Sequence, residues 1–157
     1  MTRWLSQDEQ QVWRAFLGAN KLVFEQLDRE LQRDCGIPHT YYEILVRLSE
    51  APDRRLRMSA LADRSQSSRS RLSHAVARLE ENGWVKRESC ADDKRGQVAA
   101  LTDDGYAALE RAAPSHVESV RKHVFDPLTE DQQRQLGEIS AKLLAALHAD
   151  PDGPVCE

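Results

Sequence analysis

A mainly α-helical fold with one small β-hairpin is what this sequence predicts, and three observations predict it. Apolar residues recur at helical spacing along most of the chain, capping residues stand at the heads of those runs, and two short β-prone runs, "WVKRES" and "QVAAL", are joined by a turn-rich charged loop. With 157 residues, 40% of them hydrophobic, a single domain over 1–157 with a real core is the simplest organisation.

Ser6 and Glu9 form a capping box ahead of Val12, Trp13, Phe16, Leu17, Val23, Leu27 and Leu31, so residues 6–34 read as one long helix ended by Gly36. Pro38 opens a second helix with Tyr41, Ile44, Leu45 and Leu48 on one face, broken at Ala51-Pro52-Asp53. "LRM" at 56–58 suits a minor strand, Ser59 is placed to cap the short helix "ALADR", and a further helix runs from about Ser68 to Asn82, stopped by Gly83. The hairpin follows, with Gly96 closing its loop. Thr102 caps a helix that continues to Phe125, weakened by Gly105 and open to a kink at Pro114. Thr129 and Gln132 make another capping box, and Leu136, Ile139, Leu143, Leu144 and Leu147 stripe the last helix. Residues 149–157 read as a frayed, flexible tail.

Helix, strand, short helix, helix, hairpin, helix is the order of a winged helix-turn-helix, here a lobe over about 38–101 between helices at 6–34 and 103–148. Those flanking helices carry more apolar surface than so small a core can cover. A partner chain is implied, and the flanks read as dimerisation helices.

Net charge is −4, but the average hides an asymmetry. From Arg54 to Arg95 there are eleven Lys and Arg against six acids, a balance of +5, while the remainder stands at −9. Inside the basic block, "SQSSRSRLSHAVARL" (65–79) has no carboxylate. At 100° per residue Leu72, Ala75, Val76 and Leu79 share the core side, and Ser70, Ser73, His74 and Ala77 fall opposite. Such small or thin side chains let a helix backbone approach base edges in a major groove. Arg71 and Arg78 lie on one flank and Arg69 on the other, where phosphates line a groove, and the free N–H groups behind Ser68 add a phosphate site. A solvated arginine-rich surface explains the charge alone; the short helix before it and the hairpin after it favour the groove-reading face. In the hairpin loop Lys94 and Arg95 stand beside Gly96, so Arg95 can reach a minor groove, and a carboxylate such as Asp93 can orient a guanidinium.

In order and spacing "LADRSQSSRSRLSHAVARLEENGWVKR", "ADDKRGQVAALTDDG" and the helical flanks, over roughly residues 6–148, resemble the MarR family of bacterial transcription regulators. The D-x-R-G wing followed by L-T-x-x-G is the most specific part. The resemblance implies a triangular homodimer joined through N- and C-terminal helices and bound to a pseudo-palindromic operator in double-stranded DNA, a repressor released by a small aromatic or phenolic ligand. It makes Ser68 to Arg78 the recognition helix and Asp93 and Arg95 the wing pair. Two features depart from the family pattern. Ser65-Gln66-Ser67 stands where an apolar-glycine-apolar turn is usual, and His74 stands where arginine is frequent.

The candidate DNA-binding residues are therefore Ser68, Arg69, Ser70, Arg71, Ser73, His74, Arg78, Asp93, Lys94 and Arg95. For an effector pocket the candidates are Trp13, Phe16, His39 and Tyr42, though aromatics at helical spacing more often belong to a core or interface. Cys35, Cys90 and Cys156 form an odd set without a CxxC pair, which argues against a disulfide framework. A cysteine-based redox sensor of the same fold, at Cys35 or at Cys90 near Lys86 and Arg87, is one alternative; a winged-helix interaction module without DNA binding is another. The scattered histidines give no set of three or four donors, so no metal and no cofactor is expected. With no G-x-S-x-G, glycine-rich phosphate loop or H-E-x-x-H, no enzyme is expected. The absence of a long apolar run or leader points to the cytoplasm rather than a membrane.

Overall fold

The computed structural model describes residues 1–89 and 96–148. They form six α-helices and a three-stranded sheet: α1 (Gln7–Cys35), α2 (His39–Ser49), β1 (Arg55–Arg57), α3 (Met58–Arg64), α4 (Arg69–Glu81), β2 (Val85–Ser89), β3 (Gln97–Leu101), α5 (Asp103–Val120) and α6 (Glu130–His148). The chain divides into two compact units, Met1–Ser119 and one that begins at Val120.

In the first unit α1 starts at the expected capping box, with Ser6 Oγ accepting from the Glu9 N–H at 3.1 Å and Glu9 Oε2 from the Ser6 N–H at 2.7 Å. It ends at Gly36, whose φ of 67° is a left-handed conformation that other residues enter at a cost. Pro38 precedes α2 but offers no side-chain cap; the acceptor is Asp28 of α1, whose Oδ1 takes the His39 N–H at 2.8 Å. The core lies among α2, α3, α4 and the sheet, where Leu45, Leu48, Leu61, Val76, Leu79 and Ala99 are completely covered. From α1 only Leu27, Glu30 and Leu31 are buried.

Two local expectations are corrected. Ser59 is not a cap: α3 begins one residue earlier, at Met58, and no side chain caps it. The minor strand is Arg55–Arg57, and it is not isolated. It pairs antiparallel with β3, Leu56 opposite Ala99, giving the order β1-β3-β2. Its arginines face outward and Leu56 inward, the alternation of a half-buried strand.

Gly105, which weakens α5 by propensity, is required by packing. A Cβ there would stand 2.1 Å from the Trp84 carbonyl oxygen. Thr102 makes the same junction from its other side, with Oγ1 donating to the Gly83 carbonyl at 2.7 Å and accepting the Gly105 N–H at 3.0 Å. The L-T-x-x-G string is thus the joint between the hairpin and α5. Pro114 lies inside the helix, which runs on to Val120.

In the second unit a π-helical turn, Arg121–Phe125, follows α5 and leads to α6. Thr129 and Gln132 cap α6 reciprocally, at 2.9 and 3.3 Å, as the sequence indicates. Its stripe of Leu136, Ile139, Leu143, Leu144 and Leu147 is exposed. Among the described residues no helix is long and apolar enough to cross a membrane.

Candidate nucleic-acid interface

The helix-turn-helix consists of α3, the turn Ser65–Ser67, and α4. Gln66 takes φ 49° in that turn, a left-handed conformation, so the position does what a glycine would do more cheaply. Ser68 is the N-cap of α4, its Oγ accepting from the Arg71 N–H at 3.3 Å. Leu72, Val76 and Leu79 point into the core as the helical wheel requires. Ser70 and His74 are exposed, while Ser73 and Ala77 are half-buried. The thin outward face is therefore real over its first half and partly covered toward its second.

The cations separate into two groups. Arg69 and Arg71 are exposed and make no ion pair with any described residue. Arg78 donates from Nη1 to Glu81 Oε2 at 2.8 Å, a bond that pushes its pKa further up. A phosphate would have to compete with Glu81 for it. The sequence reading missed this pair, although i,i+3 spacing on a helix signals it.

It also missed Arg87, on β2. Glu80 of α4 straddles this residue: Oε1 accepts the Arg87 backbone N–H at 2.9 Å, and Oε2 lies 3.0 Å from Nε. That N–H is not aligned on the oxygen, so the contact is an ion pair rather than a formed hydrogen bond. Nη2 then donates to the Ser73 carbonyl at 2.5 Å. On the same strand Glu88 pairs with Arg55 of β1. Asp93, Lys94 and Arg95, with Cys90, lie outside the described residues.

A cleft of about 630 Å³ opens between α2 and α4, with Tyr41, Glu43, Ser67, Ser70, Arg71 and His74 among its walls. None of the four candidate effector residues lines it. They fall into two pairs instead. Trp13 and Phe16 stack on α1 with ring centroids 6.1 Å apart, both about half exposed. His39 and Tyr42 are buried and meet His116 of α5, at 5.3 and 4.4 Å between centroids, while Phe24 approaches His39 at 5.7 Å. Phe16 precedes Phe24 by eight residues, about 12 Å of helix, which keeps the pairs apart within the chain.

Burial, seconded by the nearby His39, holds His116 below the usual histidine range, and its Nδ1 is enclosed without a hydrogen-bond partner. Burial likewise pushes the Tyr42 phenol up. Around the cluster the α1 carboxylates are occupied: Glu30 accepts from Ser119 Oγ, and Asp34 from Ser115 Oγ at 2.8 Å. Cys35 is a half-buried free thiol; Cys156 lies outside the described residues. Among the described residues no group of three or more His, Cys, Asp or Glu could hold a metal ion.

A family profile described as the MarR family matches residues 36–96. Among curated proteins, the HTH-type transcriptional regulator PrsX of Escherichia coli is 30% identical over 129 residues, 82% of this chain and 76% of that protein. The transcriptional repressor MprA of Escherichia coli K12 is 28% identical over 123 residues, 78% of this chain and 69% of that one. Among solved structures, a MarR family transcriptional regulator from Streptomyces coelicolor, crystallised in complex with DNA, is 55% identical, with a TM-score of 0.87 over 99% of this chain and 94% of that chain.

Proposed function

This chain belongs to the MarR family of transcriptional regulators, and on that premise we propose that it is a homodimeric repressor of a pseudo-palindromic operator. The carrying observation is α4: a capped helix whose buried side is Leu72, Val76 and Leu79 and whose exposed side offers Ser70, His74 and the unpaired Arg69 and Arg71. Ser70 and His74 meet base edges, and Arg69 and Arg71 take phosphates on either wall of the groove. The helix N-terminus behind Ser68 holds a further phosphate. Two copies of α4, about 34 Å apart in the dimer, enter successive major grooves. Arg95, oriented by Asp93 and flanked by Lys94, enters the adjoining minor groove. A regulator crystallised on DNA at 55% identity supports DNA as the partner, and the name of MprA supports repression. The exposed apolar stripes of α1 and α6 support a second copy as their cover.

Release by a small aromatic or phenolic ligand belongs to the same reading. The His39–Tyr42–His116 cluster of the first unit, aromatic with an unsatisfied ring nitrogen, suits such a ligand better than the exposed Trp13–Phe16 pair does.

Electrophoretic shifts on the DNA upstream of the protein's own gene test the proposal. Arg95→Ala weakens binding and flattens its salt dependence by roughly one ion-releasing contact per subunit. Unchanged affinity and slope would refute the wing contact.

A further inference from the structure

We propose that Arg87 is a positioning residue for the recognition helix, resting on the DNA-binding reading above: it holds α4 at a fixed tilt against the wing and does not touch DNA. It is the second cation of "VKRES" and would pass, in the sequence, for one more phosphate contact. Its surroundings say otherwise. The side chain is only 22% exposed, unlike the open Arg69 and Arg71. Three of its N–H-bearing atoms face α4, through Glu80 Oε1 on its backbone N–H, Glu80 Oε2 beside Nε, and the Ser73 carbonyl on Nη2.

Ser73 and Glu80 are seven residues apart, so the two anchor points are separated by about 10 Å along the helix axis. A rod held at one point can pivot; held at two, its tilt is set. The apolar seam of Leu72, Val76 and Leu79 buries the helix but is non-directional and fixes its angle poorly. The guanidinium is planar and its donors point in fixed directions, so it supplies the angular term that the seam lacks. One anchor is the carbonyl of Ser73 itself, on the turn that carries Ser70 and His74. Base readout requires side chains placed to about 0.5 Å and 10–20°, which makes such support consequential.

The test uses the full-length chain and two duplexes: one that the wild-type protein enriches from a randomised pool, and a shuffled duplex of the same length. Affinities are measured over a salt series for Arg87→Met, Arg87→Lys and Glu80→Gln, beside thermal melts. The expected result is a loss of tenfold or more on the enriched duplex for Arg87→Met. Affinity for the shuffled duplex and the salt slope stay as in wild type, because no phosphate contact is lost. Arg87→Lys, which keeps the charge opposite Glu80, recovers part of the loss. If Arg87→Met does not fold, Glu80→Gln, which keeps the volume and an acceptor for the Arg87 N–H, shows the same pattern with a smaller loss.

A salt slope lower by about one per subunit, with equal losses on both duplexes, would make Arg87 a phosphate contact and overturn the proposal. So would a lowered melting temperature with unchanged affinity of the folded protein on both duplexes. A wild-type protein that enriches no duplex overturns the DNA reading and this proposal with it, a result obtained before any variant is made.

Discussion

Within the lobe, apolar residues at helical spacing lie inside: Leu45, Leu48, Val76 and Leu79 are fully covered. Along the first half of α1 and along α6 the same spacing leaves Val12, Trp13, Phe16 and Leu17, and Leu136, Ile139, Leu143 and Leu147, exposed. The pattern in the sequence is the same and the outcome opposite. A stripe states that a helix has an apolar face, but not whether the cover for that face is in the same chain. These side chains are 41–73% exposed, so each forgoes only part of the about 1.5–3 kcal/mol that full burial supplies, and it is their number along one stripe that makes a second copy the proposed cover.

Substitutions in the covered lobe and on the exposed stripes should behave differently. Leu45→Ala, inside the lobe, is expected to cost about 2–5 kcal/mol in denaturant unfolding, at every protein concentration. If the exposed α6 stripe is covered by a second copy, Leu143→Glu is expected to leave the lobe folded while removing the concentration dependence of melting, since one leucine from each copy would be lost from that contact. Sedimentation of that variant should give the monomer mass. If Leu143→Glu instead destabilised the chain as Leu45→Ala does, the stripe would be an intrachain core.

A smaller effect is expected at the helix-turn-helix. Gln66→Gly relieves the left-handed backbone of the turn and should add about 0.5–1 kcal/mol of stability, read by chemical denaturation.

The smallest is pH-dependent. Because His116 is held below its ordinary pKa of about 6.5, the unfolded chain takes up the proton first as pH falls. Well above 6.5 the group is neutral in both states and contributes nothing; as pH falls through that value, stability declines until the folded-state ring is protonated as well. His116→Phe should remove that part of the decline in melts between about pH 7 and 5.

What was legible in the sequence follows how local each signal is. The Ser6–Glu9 and Thr129–Gln132 boxes, the Gly36 and Gly83 stops and the inward face of α4 all depend on residues within one or two turns, and all are found. Ser59 misled because a good cap residue stood one position inside the helix that Met58 begins. The pairing of β1 with β3 could not be read, since three residues have no measurable period and the partner is some forty residues away. Asp28 capping α2, and His116 meeting His39 and Tyr42 across 77 and 74 residues, are products of tertiary packing alone. Gly105 shows propensity overridden by packing: a helix-weakening residue is kept because nothing larger fits beneath the Trp84 carbonyl. Within the candidate interface the sequence put Ser70, His74, Arg69 and Arg71 on the exposed side, where they are, but it grouped with them Ser73 and Ala77, which are half-buried, and Arg78, which is paired with Glu81. It could not tell Arg87, turned inward on Glu80, from Arg69 and Arg71.

On the proposed function two copies of α4 act together, one duplex turn apart. That pairing is tested most directly by sedimentation of the protein with its enriched duplex, once as selected and once with five base pairs inserted between the half-sites. Two chains per duplex are expected in the first case and loss of specific binding in the second, because the insertion rotates one half-site to the opposite face of the DNA. One chain per duplex, bound equally well to both, would contradict the pairing.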